Sequence, residues 1–163
     1  MSSRLIPKIQ ERIRFQIYLP FIQLIERLLD GWNRIETTAN VEIKALQLSA
    51  GQGHRYEGTP TRHLGRILRD LNLQKEDVFL DYGSGKGRVL INVAKRQVGR
   101  VIGLEISPEL VAICEGNIKQ AMPKLKCLDL TVKCANGADW PVPDDCNVLF
   151  FFNPFPDTVL ENV

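Results

Sequence analysis

The chain has 163 residues, 44% of them hydrophobic and 25% charged, which fits one globular domain with a core of its own. Its net charge of +2 excludes neither a nucleic acid nor an acidic partner, although residues 1–70 hold the basic excess. The four cysteines form no CxxC pair and both histidines lie far upstream of them, which argues against a metal site and against a secreted disulfide framework.

The sequence shows neither the uninterrupted apolar core of a signal peptide nor the apolar length of a membrane span. Charged residues interrupt the N-terminal apolar run, so it does not resemble a signal peptide. No stretch approaches the roughly 18 apolar residues that a membrane span needs. We therefore expect a cytoplasmic protein with reduced thiols.

The N-terminal segment is predicted to be helical. Apolar residues recur at helical spacing over residues 6–35, and Pro20 is expected to kink this segment or split it into two helices. The apolar stripe is expected to pack on the body of the same domain, with a partner or dimer contact and a membrane surface as alternatives. The membrane alternative rests on the basic residues Arg4, Lys8, Arg12 and Arg14. Residues 1–55 are thus expected to form a helical extension, and residues 56–163 the main domain.

Helices and strands alternate in the rest of the chain. Thr59 is a plausible N-cap for a helix with Pro60 in its first position, and Ser107 caps a later helix that runs to about Met122. One further helix is predicted at Val89–Arg96, and the strands are predicted at Val78–Leu80, Arg100–Glu105, Leu128–Lys133 and Asn147–Phe152. This alternation predicts an α/β fold, a parallel sheet with helices on both faces.

The first strand leads into the stretch DYGSGKG, a glycine-rich turn. Its glycines at 83, 85 and 87 allow a sharp bend and a close approach of backbone to a ligand. A phosphate-binding loop for ATP needs G-x-x-x-x-G-K-[ST], and here Lys86 is followed by Gly87 and the glycine spacing is wrong. We reject ATP, and we expect Lys86 and Arg88 to cover the surface rather than to engage an anion.

A second acid helps to choose among the remaining ligands. Glu105 ends the second strand and fits the acid that binds ribose hydroxyls in NAD or FAD sites. The spacing here is G-x-G-x-G, however, and Asp81 precedes it. A carboxylate at that point would repel a pyrophosphate and attract an ammonium group, which favours S-adenosylmethionine (SAM). A nicotinamide-dependent oxidoreductase stays as a weaker alternative.

Three stretches of the chain resemble one family. DYGSGKG, GLEIS at the end of the second strand and FFNPFP at the end of the fourth match class I SAM-dependent methyltransferases in order and spacing, over about residues 56–157. The resemblance implies a Rossmann-like sheet with helices around it, of which this chain holds about four of the usual seven strands. It also implies SAM as the cofactor, with its methionine part held by Asp81 and by the backbone of Gly83, Ser84, Gly85 and Gly87.

The same resemblance implies further contacts with SAM. Glu105 would accept hydrogen bonds from the ribose hydroxyls, and Ile106 would lie against the adenine. Asn136, with Gly137 beside it, would meet the adenine amino group, and Asp139 is the alternative. Tyr56 and Thr59, which both precede the first strand, would lie over the methionine end of SAM.

The stretch Asn153-Pro154-Phe155 follows the fourth strand and is similar to the NPP[YF] loop of methyltransferases that modify nitrogen. In such a loop the asparagine side chain and the next carbonyl accept hydrogen bonds from the target N–H groups, and an aromatic ring packs on the target. Asn153 is also expected near the cofactor. Because Phe155 replaces the second proline of that loop, oxygen and carbon targets stay open.

The predicted fourth strand would have an unpaired apolar edge, which is an aggregation hazard. We expect the chain to be a fragment of a longer protein; otherwise a partner chain, a second copy or the N-terminal helices would cover this edge. The predicted function is methyl transfer from SAM to an unknown acceptor on a protein, nucleic acid or small molecule, with a nitrogen atom as one candidate target. The alternative is a non-catalytic SAM-binding or interaction module that works through a partner.

Overall fold

A computed structural model describes residues 19–38 and 58–152 of the chain. Two helices precede the first strand, and strands and helices then alternate. In chain order the elements are α1 (Leu19–Asn33), α2 (Thr61–Asp70), β1 (Val78–Tyr82), α3 (Arg88–Ala94), β2 (Arg100–Glu105), α4 (Pro108–Ala121), β3 (Leu130–Cys134) and β4 (Val148–Phe151). Single-turn 3₁₀ helices occupy Met122–Lys124 and Gly137–Asp139. The boundary expected between residues 55 and 56 lies outside the described residues.

The four strands form one parallel sheet in the order β3-β2-β1-β4. Helix α3 connects β1 to β2 and helix α4 connects β2 to β3, because parallel neighbouring strands need a crossover connection. The sheet confirms the predicted α/β, Rossmann-like architecture. Strand β2 has its predicted bounds, whereas β1 continues to Tyr82 and β3 begins only at Leu130.

The core lies on both sides of the two central strands. All five residues of β1 are buried, since helices or loops cover both of its faces. One cluster packs Phe79 against Leu64 of α2 and Leu90 of α3, and a second cluster holds Leu80 on the other face. Closely packed side chains therefore surround β1 up to its carboxyl end, where the glycine turn begins.

The helix starts agree only in part with the sequence predictions. Ser107 caps α4 as predicted, because its Oγ accepts a hydrogen bond from the Leu110 N–H at 3.3 Å. The expected Thr59 cap is wrong: α2 begins at Thr61, Pro60 occupies the cap position without a side-chain bond, and Thr59 is buried. Pro20 lies in the first turn of α1, where the missing N–H removes no helical hydrogen bond.

Strand β4 lies at an edge of the described sheet. It pairs with β1 alone, in a register that places Phe151 beside Tyr82. The two rings stack with centroids 4.7 Å apart, and Phe79 stacks on Phe150. Leu149 is exposed on this edge strand of the described residues.

Gly87, just before α3, gives a test of how closely this part of the chain packs against Cys114 of α4. It has φ +83°, and a Cβ there would lie 2.5 Å from the Cys114 Sγ. Gly87→Ala is expected to lower the free energy of unfolding by about 2–4 kcal/mol, from backbone strain and overpacking together. The control is Gly116→Ala in α4, where a Cβ would meet nothing within 4 Å and should add about 0.5–1 kcal/mol. Urea denaturation measures both, and equal effects of the two changes would contradict this packing.

Candidate functional site

Asp81 lies at the carboxyl end of β1 and is only 2% exposed. Its Oδ2 is buried and makes no hydrogen bond to any residue that the structure describes. Burial, and secondarily the charge of Glu105, raise the pKa of this carboxyl well above its usual value. A buried carboxylate without a partner is costly, so this position suits the cationic group of a ligand.

The turn after β1 depends on its glycines. Gly83, Gly85 and Gly87 all have positive φ, at 75°, 53° and 83°, a region that side chains with a Cβ rarely adopt. The Gly87 N–H closes the turn on the Ser84 carbonyl at 2.9 Å. The alternate glycines of the motif thus serve the backbone conformation directly.

Most amide groups of the turn donate within the protein. The Gly83 and Ser84 N–H groups both donate to the Leu104 carbonyl at 2.9 Å, and the Gly85 N–H donates to the Glu105 Oε2 at 2.8 Å. With the bond of Gly87, four of the five amides from 83 to 87 have protein acceptors. The turn therefore offers a ligand mainly carbonyl and carboxylate oxygens, which accept hydrogen bonds.

Glu105 ends β2 and faces the glycine turn. Its Oε1 accepts from the Ser107 N–H at 3.0 Å, and its Oε2 holds Gly85. Burial raises the pKa of Glu105, while hydrogen bonds from the amides of Ser107, Gly85 and Ile106 act in the opposite direction. Because an ionised carboxylate has about four lone-pair directions, these bonds leave room for ligand hydroxyl groups.

The two basic residues of the turn do not cover the surface, so that prediction is wrong. Lys86 is 1% exposed, and its Nζ lies 2.6 Å from the Glu36 Oε2. Arg88 is also buried. Both side chains point toward the N-terminal segment, so they do not cover the outer side of the glycine turn.

Arg88 is the centre of a buried polar group of residues. Its Nη1 lies 2.8 Å from the Glu26 Oε2 and donates to the Thr59 carbonyl at 3.1 Å, and its Nε donates to the Thr37 Oγ1 at 2.7 Å. Asp30 lies 3.8 Å from the guanidinium and itself accepts from the Thr37 N–H and hydroxyl. This Arg88 cluster fastens α1 and the segment around Thr59 to the start of α3.

The segment after β3 has its own local structure. The Asn136 Oδ1 accepts from the Ala138 N–H at 3.2 Å, and its Nδ2 donates to the Asp139 Oδ2 at 2.7 Å. Asn136 therefore caps the 3₁₀ helix that Gly137 begins. The expected adenine contacts, including the half-buried Ile106, lie at the carboxyl ends of neighbouring strands, since β3 pairs directly with β2.

A small cavity brings several predicted residues together. Thr59, Asp81, Gly83 and Ser84 all line it, although the chain separates Thr59 from the rest. Phe152, the last described residue, lines the same cavity. The predicted residues Tyr56, Asn153, Pro154 and Phe155 lie outside the described part of the chain.

Sequence reasoning missed the Arg88 cluster and the contribution of Phe152. Glu26 and Arg88 are 62 positions apart, so no periodicity or short motif links them. One available signal was that Glu26 and Asp30 lie one helical turn apart in a segment rich in apolar residues.

Metal-binding clusters and membrane-spanning helices are both absent from the described ranges. Within residues 19–38 and 58–152, no three side chains of histidine, cysteine, aspartate or glutamate form a group that could hold a metal ion. No helix in these ranges combines the length and the apolar character that crossing a membrane requires.

Comparison with known proteins identifies relatives of this chain. A family model described as "Methyltransferase domain" matches residues 79–162. A protein-lysine N-methyltransferase of Saccharolobus islandicus (strain REY15A) is 32% identical over 66 residues, which are 40% of this chain and 41% of that protein. The chain therefore aligns with only about two fifths of that relative's length.

Solved structures show the same architecture. The crystal structure of an RNA methyltransferase from Salinibacter ruber, in complex with S-adenosyl-L-homocysteine, matches with 28% identity and a TM-score of 0.51, over 58% of this chain and 60% of that one. A dimethyladenosine transferase from Plasmodium falciparum is 15% identical with a TM-score of 0.52, over 61% of this chain and 34% of that one. The second likeness concerns the fold alone.

Proposed function

This chain belongs to the class I SAM-dependent methyltransferase family, and we propose that it transfers a methyl group from SAM to a nitrogen atom of its acceptor. Membership rests on the family match over residues 79–162, about half of the chain. The observation that carries the cofactor proposal is the set of hydrogen-bond acceptors that the glycine turn offers around the buried Asp81 Oδ2, which has no partner among the described residues.

The ligand's charge follows from the chemistry of the turn. A pyrophosphate needs N–H donors, and four of the five amides from 83 to 87 already donate within the protein. An ammonium group needs acceptors, which Asp81 and the carbonyls of the turn supply. The buried Ser84 Oγ, which lacks a partner among the described residues, adds a further polar atom at the same place. SAM carries such an ammonium group on its methionine part, so it fits where NAD does not.

Glu105 is the residue proposed to hold the ribose of SAM. It lies at the end of the strand next to β1, and Gly85 bonds to it directly. A carboxylate fixed by two backbone amides accepts hydroxyl donors without reorienting. Ile106 and the Asn136–Gly137 segment follow β2 and β3 at the same edge of the sheet, and we propose that they flank the adenine.

The bound cofactor supplies a methyl group already activated on a sulfonium, so the protein mainly has to position the acceptor. Phe152 lines the cavity next to Asp81, which supports a location of the following residue, Asn153, at the cofactor. We propose that Asn153 and the Pro154 carbonyl accept hydrogen bonds from the acceptor N–H groups, and that the Phe155 ring packs on the acceptor.

A nitrogen acceptor is favoured by the loop sequence and by one relative. The curated relative is named a protein-lysine N-methyltransferase. The solved relative with 28% identity is an RNA methyltransferase, so RNA is the second class of acceptor to be tested. Both a lysine amine and a nucleobase amine carry N–H groups that can donate a hydrogen bond to an asparagine oxygen.

Calorimetric titration tests the cofactor. The protein is expected to bind SAM and S-adenosylhomocysteine, and Glu105→Ala is expected to lose this binding while circular dichroism shows an intact fold. The exposed Glu115 provides a matched control, and Glu115→Ala should bind like the wild type. Binding of NAD without binding of SAM would overturn the cofactor proposal.

Transfer of a tritiated methyl group from SAM tests the acceptor. Label is expected in protein or RNA of a host extract, in a form that survives mild base, because methylamines are base-stable and carboxyl methyl esters are not. Protease and ribonuclease digestion then assign the acceptor class. Asn153→Ala should abolish transfer and keep SAM binding. Base-labile label would contradict a nitrogen acceptor.

The compartment is proposed to be the cytoplasm. All four cysteines fall within the described residues and all are free thiols, including the buried Cys114 and Cys127. Burial raises the pKa of the Cys114 thiol to about 12, which makes it unreactive at neutral pH. Free thiols are the usual state in a reducing compartment.

A further inference from the structure

Helix α1 is attached to the domain by its polar face. Glu26 accepts hydrogen bonds from the Thr61 N–H, the Thr61 hydroxyl and Arg88. Asp30, one turn later, accepts from Thr37. Both acids are buried. The orientation of α1 about its own axis is thereby fixed through charged hydrogen bonds.

The opposite face of α1 is apolar and exposed. Its large side chains lie within one broad stripe of a 3.6-residue helix, away from the stripe of Glu26 and Asp30. Trp32 is 82% exposed and Leu28 65%. The α1 apolar face consists of Phe21, Leu24, Ile25, Leu28, Leu29 and Trp32. The expectation that this stripe packs on the same domain is thus wrong for the described residues.

A rotation of α1 cannot remedy this exposure. Turning the apolar face inward would carry Glu26 and Asp30 away from Arg88 and leave a buried guanidinium without its carboxylates. Removing one partner of a buried ion pair is strongly destabilising. The outward direction of the α1 apolar face is therefore built into the fold, and a contiguous apolar patch of this size marks an interaction surface.

The charges around the α1 apolar face select its partner. Among the described side chains from Leu19 to Glu36, the exposed charged residues are Arg27, Arg34 and Glu36, and the Glu36 carboxylate lies 2.6 Å from the Lys86 ammonium. The Lys124 ammonium, a further basic group, donates to the Trp32 carbonyl at 2.9 Å. Two copies of this face would bring like charges together, because a two-fold contact uses the same patch on both subunits. A partner that is both apolar and anionic complements it.

We propose that the α1 apolar face docks on the surface of an anionic lipid bilayer. A helix with Leu, Phe and Trp on one face and basic side chains at its rim lies in the plane of the membrane interface. Trp32 at the end of the helix matches the preference of tryptophan for this interface. The inner leaflet of a cytoplasmic membrane is anionic, and the sequence before α1 adds further basic residues.

Vesicle binding by the full chain tests the proposal independently of SAM. Sedimentation with phosphatidylglycerol–phosphatidylcholine vesicles is expected to retain the protein, with much weaker retention on pure phosphatidylcholine and a loss at high salt. In a Trp140→Phe variant, Trp32 is the only indole, and its emission should shift to the blue when anionic vesicles are added.

Substitutions assign the binding to the α1 apolar face. Leu24→Gln/Leu28→Gln is expected to weaken vesicle binding by at least about tenfold, because burying each leucine is worth more than 1.4 kcal/mol. Leu128→Gln is the matched control, since Leu128 is 72% exposed and lies outside α1. It should bind like the wild type.

Four outcomes overturn the proposal. The first is failure to bind anionic vesicles, and the second is binding that the double substitution does not weaken. The third is a dimer in buffer that the double substitution dissociates, which would make a second copy the partner. The fourth is a blue Trp32 emission in buffer that iodide cannot quench, which would place another segment of this chain over the face.

Discussion

Replacing Arg88 by methionine is expected to lower the free energy of unfolding by about 3–5 kcal/mol, the usual cost of breaking a buried ion pair by removing one partner. The side chains of Arg88 and Glu26 are only 6% and 9% exposed, so water cannot replace the lost hydrogen bonds. Glu26 and Asp30 would then lie buried beside an apolar methionine, without their cationic partner. Equilibrium denaturation in urea measures this change.

The control for Arg88 is another arginine of similar sequence environment. Arg66 lies on α2 and is exposed, and Arg66→Met is expected to change the free energy of unfolding by no more than about 0.5 kcal/mol. Arg88→Met should also expose α1 to hydrogen exchange, because its anchoring pair is lost. An unfolding free energy equal to that of Arg66→Met would show that the cluster around Arg88 contributes nothing to stability.

The second large effect is expected from Asp81→Asn, which should weaken SAM binding by about 10- to 100-fold. A hydrogen bond to a charged group is worth about 1.5–3 kcal/mol, and a neutral amide lacks the charge that the ammonium needs. The ligand-free variant should be at least as stable as the wild type, because the Asp81 Oδ2 has no partner among the described residues and pays desolvation without compensation. Opposite signs for binding and stability distinguish a ligand contact from a structural role.

The pH dependence of the free energy of unfolding tests whether ionised Asp81 destabilises the ligand-free protein. Because the pKa of folded Asp81 is raised above its unfolded value of about 3.9, the native state holds more protons between these two values. Asp81 therefore favours folding at the low end of this window, and that contribution disappears as the pH rises through the folded pKa. Thermal melts of Asp81→Asn should show a smaller fall in stability over this window. A wild-type stability that rises with pH more steeply than that of the variant would contradict the assignment.

Local chemistry explains why much of the fold was predictable from sequence. Alternating apolar runs and helical spacing located the four strands to within about two residues, and the Ser107-Pro108 pair marked the start of α4. The DYGSGKG stretch predicted a ligand turn because positive φ at 83, 85 and 87 is a demand that glycine meets. Asp81 is predicted as a ligand residue from its charge just before the glycines, and Glu105 from its spacing after them; the two lie close together because the ends of parallel strands meet at one edge of a sheet.

The sequence by itself thus determined the α/β sheet, the glycine turn and the acids at its edge, because each of these features depends on residues that are neighbours along the chain. Only the tertiary structure decided the direction of Lys86 and Arg88, the burial of Thr59 and the outward face of α1. These depend on Glu26 and Asp30 meeting a guanidinium from another part of the chain. That contact, rather than the amphipathic pattern, determines which side of α1 is buried. An unpaired buried charge costs more free energy than exposed apolar side chains, which a partner can cover.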